Sequence, residues 1–335
     1  MKKESIVSDS SIIVDKLTKK FGDFTAVNAI SFDIKKGEVF GLLGPNGAGK
    51  TTTLSMLSTI LKPTSGSATV NGFDIVHNQS DVRNSIGIVF QDQSLDEELT
   101  ALENMDFHGR VYRMAKSVRE KKSLELLKLV GLDDRKDSMV KTFSGGMKRR
   151  LEIARGLLHE PKVLFLDEPT LGLDPQTRNH LWKYISDLKN KEGITIILTT
   201  HYMDEADKLC DRIGIIDHGS IVAMNTSQKL KEEVGGELVT IKTSDGKNAS
   251  KIKAPWITKV DSRNGEIIIA LKESEKNLSA LVALLDKNKV TANSISMHKP
   301  TLEDVFLHFT GKTIREQEAS THDMMRMAKK VWTRR

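Results

Sequence analysis

The segment GPNGAGKT, residues 44–51, has the residue types needed to hold a chain of phosphates. A strand-like run precedes it and a helical run follows it, so its uncovered backbone N–H groups would lie at a helix N-terminus. Lys50 can supply a positive charge, and the Thr51 hydroxyl can bind Mg²⁺. A Gly-rich turn without a ligand is the alternative, and the strand–loop–helix context disfavours it. The predicted phosphate loop consists of Gly44, Pro45, Asn46, Gly47, Ala48, Gly49, Lys50, Thr51 and Thr52.

A second element, KVLFLDEPT at residues 162–170, is an apolar run that ends in two carboxylates. A carboxylate at the carboxyl end of a buried parallel strand lies at the sheet edge where α/β proteins bind ligands. Asp167 is therefore predicted to hold Mg²⁺, and Glu168 to act as a general base toward a water molecule. An ordinary acidic turn is the alternative for this motif taken alone. The phosphate loop in the same chain makes it the weaker interpretation.

A third element, FSGGMKRRLEIARGLL at residues 143–158, predicts another helix start suited to an anion. Ser144 can cap the helix, and Gly145 and Gly146 leave backbone N–H groups uncovered. The apolar face of this helix consists of Met147, Leu151, Ala154 and Leu158. The three basic residues 148–150 lie off that face and are predicted to point into solvent.

The order of elements predicts an α/β fold with a mostly parallel sheet. Continuous apolar runs alternate with helical patterns, as expected for strands buried on both faces. Residues 98–160 interrupt the alternation with a mostly helical insert, and residues 211–225 predict a hairpin that turns at His218-Gly219. We expect a main domain at 11–228, a small α+β domain at 235–312 and a basic tail at 313–335. The tail is either a solvated terminus, the favoured interpretation, or a segment that lies on anionic lipid.

Composition limits the possible classes of protein. The 335 residues contain 51 Lys and Arg against 45 Asp and Glu, so the net charge is +6, too small an excess to select a class of partner. Cys210 is the one cysteine in the sequence, which rules out an intrachain disulfide and a cysteine zinc cluster. The apolar runs are too short to cross a bilayer, and the polar N-terminus is unlike a secretory signal. A cytoplasmic location is expected.

Taken together, the three motifs resemble those of the ATP-binding subunits of ABC transporters, over about residues 11–225. The resemblance implies ATP and Mg²⁺ as ligands. It implies that Phe21, in KKFGDF, stacks on adenine, that Gln91, in VFQDQ, reaches Mg²⁺, and that His201, in TTHYMDEA, contacts the γ-phosphate. Without the other motifs, such a Phe would more often be a core residue, such a Gln a surface residue, and such a His a structural residue with no part in ligand binding.

In that family, two copies pair head to tail around two ATP molecules. The resemblance implies that Ser144, Gly145 and Gly146 meet the γ-phosphate held by the partner copy, and that Asp174, in LGLD, lies at the boundary between the copies. Phe143 and Met147 stand where the family commonly has Leu and Gln. An amide that could hydrogen-bond across the interface is therefore missing, although the Ser-Gly-Gly core is present.

Three segments narrow the resemblance to the daunorubicin-resistance type of multidrug exporter: residues 89–105, 143–158 and 300–312. This type implies export through separately encoded membrane permeases, with a groove for a permease helix on the insert between about Glu98 and Asp137. The C-terminal domain would stabilise a dimer, regulate the ATPase or cap the core passively.

Two other classes of function are compatible with the sequence. One is an ABC-type ATPase that acts on nucleic acid or ribosomes. Such proteins usually carry two nucleotide domains in one chain or a long coiled-coil insertion, so we expect no direct nucleic-acid partner. The other is a regulatory module that does not turn over, which the presence of Glu168 and His201 disfavours.

Overall fold

A computed structural model describes residues 9–243, 252–263, 266–272, 274–288 and 290–311. Within these ranges the chain forms two compact units, one ending at Met224 and the other beginning at Asn225. The predicted basic tail lies outside the described residues.

The first unit contains ten strands and seven α-helices among the described residues. The strands are β1 (Ser10–Phe21), β2 (Phe24–Lys35), β3 (Val39–Leu43), β4 (Ser65–Val70), β5 (Phe73–Asp74), β6 (Ile86–Val89), β7 (Val163–Asp167), β8 (Thr195–Thr200), β9 (Arg212–Asp217) and β10 (Ser220–Asn225). The helices are α1 (Lys50–Leu57), α2 (Gln79–Ser85), α3 (Ala101–Val111), α4 (Lys116–Leu129), α5 (Gly145–Leu157), α6 (Pro175–Glu192) and α7 (Met203–Leu209).

A six-stranded sheet in the order β10-β9-β3-β8-β7-β6 forms the centre of this unit. The pairs β3–β8, β3–β9, β7–β8 and β6–β7 are parallel. Every residue of β3, β7 and β8 is buried, as the continuous apolar runs predict. The carboxyl ends of these three neighbouring strands therefore meet at one edge of the sheet, and the α/β fold class is confirmed.

A second sheet, in the order β2-β1-β4-β5, is antiparallel and was not foreseen from the sequence. Unlike the central strands, β1 and β2 contain both buried and exposed residues, as expected for a sheet that packs on the core through one face. Phe32 on this sheet stacks on Phe40 of β3, with ring centroids 5.2 Å apart. The two sheets thus share one hydrophobic core.

The insert contains α3, α4 and α5, with two short 3₁₀ turns between α4 and α5. Thr100 begins α3 with a capping box, in which it exchanges hydrogen bonds with Glu103. Ser144 caps α5 by accepting a hydrogen bond from the Met147 N–H. The insert and one face of the parallel sheet pack into a common cluster that includes Leu127, Leu151 and Leu164.

The prediction that the basic residues of α5 face solvent is wrong. Arg149 is only 7% exposed, because α5 is buried on a second face in addition to the predicted apolar one. Lys148 is largely covered and pairs with Glu97. Arg150 is half-buried and donates to the Val130 carbonyl over 2.7 Å.

A histidine pair lies where the insert meets the core. His159, after α5, stacks on Tyr112 with ring centroids 3.8 Å apart and bonds the Ile86 carbonyl through Nε2 at 2.8 Å. His108 of α3 lies beside it, with centroids 6.1 Å apart. Burial, helped by the nearby charges of Arg155 and His159, lowers the pKa of His108 to about 4.

We expect this depressed pKa to make the fold sensitive to acid. In the unfolded chain His108 becomes protonated below about pH 6.5, whereas in the folded protein it stays neutral down to about pH 4. The folded state therefore loses stability as the pH falls from about 6.5 to about 4. At pH 5 the loss attributable to His108, reduced for its partial exposure, is about 1–2 kcal/mol. Urea unfolding of the wild type and of His108→Gln at pH 7.5 and pH 5 tests this. An equal loss of stability in both proteins would contradict it.

The second unit contains α8 (Ser227–Glu233), β11 (Glu237–Lys242), β12 (Ile257–Arg263), β13 (Glu266–Leu271), α9 (Ser274–Lys287), β14 (Ser294–His298) and α10 (Leu302–Thr310). Four strands in the described part of this unit form an antiparallel sheet in the order β12-β13-β11-β14. Val239 and Ile269 of the sheet pack with Leu281 and Leu285 of α9. Thr301 caps α10 with a capping box to Asp304.

Candidate active site

The phosphate loop connects β3 to α1, and close packing requires several of its glycines. A Cβ on Gly44 would lie 2.2 Å from the Ile216 carbonyl oxygen. Gly49 has a φ of +104°, and a Cβ there would lie 2.5 Å from the Ala26 carbonyl oxygen. Gly49 also precedes α1 without a capping side chain, so the first N–H groups of the helix remain available to an anion.

Lys50 is the first residue of α1, and its side chain is buried against the preceding residues of the phosphate loop. Its Nζ donates to the carbonyls of Gly44 and Pro45 at 2.8 and 3.0 Å and lies 3.2 Å from Glu168 Oε1. The ammonium group is therefore centred between the loop and the end of β7. A positive charge in this position suits phosphate oxygens brought into the loop.

Asp167 ends β7 beside the first turn of α1. Its Oδ1 accepts a hydrogen bond from the Thr51 hydroxyl at 3.2 Å and another from the Thr199 hydroxyl. Burial raises the pKa of Asp167, and the adjacent Glu168 carboxylate adds to the rise, against the two hydroxyl hydrogen bonds. A divalent cation near this carboxylate would offset the cost of keeping it ionised.

Glu168 follows in a left-handed backbone conformation, with a φ of +47°. For a residue with a Cβ this costs on the order of 1 kcal/mol. Its N–H donates to the carbonyl and hydroxyl oxygens of Thr199. Burial opposes ionisation of its carboxyl, but the hydrogen bond from His201 and the charge of Lys50 outweigh burial and hold the pKa below its ordinary value. Glu168 is therefore an ionised, buried carboxylate able to accept a proton.

His201 follows β8 and turns toward the same carboxylate. Its Nδ1 lies 3.1 Å from Glu168 Oε2. Since an ionised carboxylate can only accept, Nδ1 carries the proton in this arrangement. His201 therefore orients Glu168 through Oε2, while Lys50 pairs with Oε1.

The oxygen atoms of Thr51 and Asp167 fit a magnesium ion. Mg²⁺ prefers hard oxygen ligands and usually takes only one or two from the protein, the rest coming from water and phosphates. No cluster of three or more His, Cys, Asp or Glu side chains placed to hold a metal occurs among the described residues. The contact between these two side chains is the pattern expected when phosphates complete the coordination.

The other predicted site residues lie on three separate elements. Phe21 lies at the tip of the β1–β2 hairpin, half-exposed, with Lys19 Nζ 5.1 Å from its ring centroid. Gln91 is exposed in the loop after β6, the strand next to β7. Asp174 caps α6 by accepting from the N–H groups of Gln176 and Thr177.

Ser144 and Gly145 are exposed at the start of α5, whereas Gly146 is buried. A Cβ on Gly146 would lie 2.2 Å from Thr177 Cγ2 of α6, so the start of α5 and the start of α6 are in close contact. Gly145 has far more room, because its nearest neighbour would lie 3.9 Å from an added Cβ.

Two family matches account for most of the chain. Residues 27–171 match the family described as ABC transporter. Residues 226–310 match the C-terminal domain described as ATP-binding protein DrrA1-3-like. The linearmycin resistance ATP-binding protein LnrL of Bacillus subtilis is 41% identical over 308 residues, covering 90% of this chain and 99% of that protein. The chain belongs to the ATPase subunits of the ABC transporter family.

Other comparisons agree with an ABC ATPase. The daunorubicin resistance ATP-binding protein DrrA3 of Streptomyces coeruleorubidus is 37% identical, over 94% of this chain and 100% of that protein. The structure of cbiO1 from Clostridium perfringens, part of the ABC transporter complex cbiONQ, has a TM-score of 0.62 and 32% identity, over 68% of this chain and 94% of that one. The dimeric MJ0796 cassette bound to ADP and Pi has a TM-score of 0.58 and 29% identity, over 64% and 98%.

Sequence reasoning missed two residues beside the site of this ABC ATPase. Thr199 binds both Asp167 and the backbone of Glu168, and its position on β8, next to β7, could have indicated this. Arg149 reaches the carbonyl oxygens around Glu168 from α5. The only sequence signal for Arg149 is Glu152, an opposite charge three residues later on the same helix.

Proposed function

We propose that this chain hydrolyses ATP with Mg²⁺ between two copies arranged head to tail, and that hydrolysis drives export through separately encoded membrane permeases. The observation that carries this proposal is the direct contact among Lys50, Thr51, Asp167, Glu168 and His201 at the carboxyl edge of β3, β7 and β8. Each has a residue type and position suited to one part of phosphoryl transfer to water.

These side chains divide the work of hydrolysis. Lys50 and the N-terminus of α1 bind and orient the phosphates. Mg²⁺, held by Thr51 and Asp167, would neutralise charge on the phosphate oxygens. Glu168 accepts the proton of the attacking water, and His201 holds the Glu168 carboxylate in position.

In this proposal the signature segment, FSGGM at residues 143–147, completes the reaction centre of the other copy. Ser144 and Gly145 are exposed, and they begin a helix whose dipole is positive at that end. A γ-phosphate held by the partner copy would meet these groups, and Asp174 would lie at the same boundary. MJ0796 is a dimer in its solved structures, which supports a paired arrangement.

The insert offers a surface for the permease. Phe107 and Val111 lie one turn apart on α3 and are 64% and 63% exposed. Adjacent exposed apolar side chains of this size are typical of surfaces that bind another protein. Among the described residues, no helix has both the length and the apolarity to cross a membrane. A permease would place the ATPase at the inner face of the cell membrane.

The transported class is inferred from relatives that carry resistance in their names. LnrL is named for linearmycin resistance and DrrA3 for daunorubicin resistance. We therefore propose a drug-like or other hydrophobic substrate that leaves the cell.

Replacing Phe107 and Val111 with Glu is expected to separate the ATPase from its permease. Two carboxylates on this apolar surface could not be desolvated in an interface, so binding should fall at least about 100-fold. The measurement is co-purification with a candidate membrane permease that is co-expressed with this chain, together with drug resistance of the host. ATP hydrolysis by the isolated variant should stay within about twofold of the wild type, because neither residue contacts the site.

The matched control is Ile60→Glu, since Ile60 is also an exposed apolar residue of the first unit but lies outside the insert. This variant should still co-purify with the permease and still give the host drug resistance. If the α3 variant still binds the permease as tightly as Ile60→Glu does, the proposed docking surface is wrong.

A further inference from the structure

Arg149 lies between the signature segment and the hydrolytic residues. Its guanidinium group is buried and carries three sets of donors. Nε donates to the Pro169 carbonyl at 3.0 Å, and Nη2 donates to the Asp167 carbonyl at 2.7 Å. Both carbonyls flank Glu168 in the chain. One planar group therefore holds the backbone on each side of this residue.

The same guanidinium reaches a second loop of the site. Nη1 donates to the Phe90 carbonyl, which directly precedes Gln91. Nη1 also pairs with Glu152 Oε2 at 3.0 Å, and Glu152 Oε1 accepts from the Ser94 N–H at 2.8 Å. The loop after β6 is thus attached to α5 at two points, Phe90 and Ser94.

These contacts matter because Glu168 has an unfavourable backbone. A left-handed conformation in a residue with a Cβ persists only where the surroundings impose it. Thr199 holds the N–H of Glu168 from one side, and Arg149 holds the flanking carbonyls from the other. Without Arg149, the peptide groups around Glu168 lose the donors on one side, and the carboxylate can drift from the position that His201 and Lys50 define.

We propose that Arg149 is a positioning residue for hydrolysis, which holds Glu168 and the Gln91 loop in register with α5. This inference rests on the proposed function, since it assigns the general base to Glu168. Its consequence is that one copy links two reaction centres. The N-terminus of α5 serves the nucleotide of the partner copy, while Arg149, one turn further along, adjusts the base that serves the copy's own nucleotide.

The test uses the full chain with MgATP and compares Arg149→Met and Arg149→Lys. Met keeps the length of the side chain without any donor. Lys keeps the charge beside Glu152 but lacks the planar fork that reaches several carbonyls. Both variants should lower kcat about 10- to 100-fold and leave the KM for ATP within about threefold. The matched control is Arg150→Met, because Arg150 is on the same helix but bonds Val130 within the insert. It should keep wild-type kcat.

Combining Arg149→Met with Glu168→Gln distinguishes positioning from a general structural role. If Arg149 acts through Glu168, the double variant should turn over at the rate of Glu168→Gln alone in a single-turnover assay. Multiplied losses in the double variant would overturn the inference, as would wild-type kcat in Arg149→Lys. If Arg149→Met fails to fold, Arg149→Lys takes its place in the cycle. If Glu168→Gln itself retains wild-type turnover, the assignment of the base fails, which is a different result from failure of the positioning role.

Discussion

Glu168→Gln is expected to reduce ATP turnover at least about 100-fold, the lower end of what a positioned general base contributes. Glu168 is ionised and buried, and it is held between Lys50 and His201. The amide of Gln has nearly the same shape but cannot accept a proton from water. The phosphate loop is unchanged in this variant, so ATP should still bind and hold two copies together. Phosphate release and size-exclusion chromatography in excess MgATP measure the two effects.

The matched control for this variant is Glu120→Gln, which makes the same change on the exposed surface of α4. It should turn over normally and separate into single copies as the wild type does. A Glu168→Gln protein that remains monomeric in excess MgATP would contradict the paired arrangement. Normal turnover would contradict the role of Glu168 as the base.

Ser144→Arg is expected to reduce ATP hydrolysis at least about 100-fold and to leave ATP binding by the single copy within about twofold. The exposed Ser144 lies at the positive end of α5, where a large side chain would separate this end from the nucleotide of the partner. The phosphate loop of the same copy is built from different residues. Fluorescent-nucleotide titration of dilute protein measures binding, and phosphate release at high protein concentration measures hydrolysis.

Ser117→Arg provides the matched control, because Ser117 is exposed at the start of α4 and away from the signature segment. It should leave both quantities unchanged. If Ser144→Arg instead abolishes binding by the single copy, the signature segment acts beside its own phosphate loop. The head-to-tail proposal would then fail.

The position of the site could be predicted because it depends on strand ends. Asp167 and His201 each follow a continuous apolar run, and such runs form the buried neighbouring strands β7 and β8. Parallel neighbours bring their carboxyl ends to the same edge. The place where these side chains meet therefore follows from local sequence, and the family resemblance that the motifs indicated is confirmed by the matched families.

The antiparallel sheet and the role of Arg149 could not be predicted in the same way. Strands β1 and β4 are about fifty residues apart, and nothing in either strand specifies its partner. Helical periodicity identified the face of α5 that contains Leu151, but it counts apolar residues only. A second face, where Arg149 and Glu152 are buried as a hydrogen-bonded pair, has no apolar signature that periodicity could detect.

The contact between Gly146 and Thr177 affects how a bound partner would be sensed. Thr177 packs against the start of α5 and also donates its hydroxyl to Asp174, the cap of α6. The N-termini of α5 and α6 therefore pack against each other within a single copy. In the proposed pair, the nucleotide of a partner copy would meet two helix starts that pack on each other, so a shift of one start requires the other to repack.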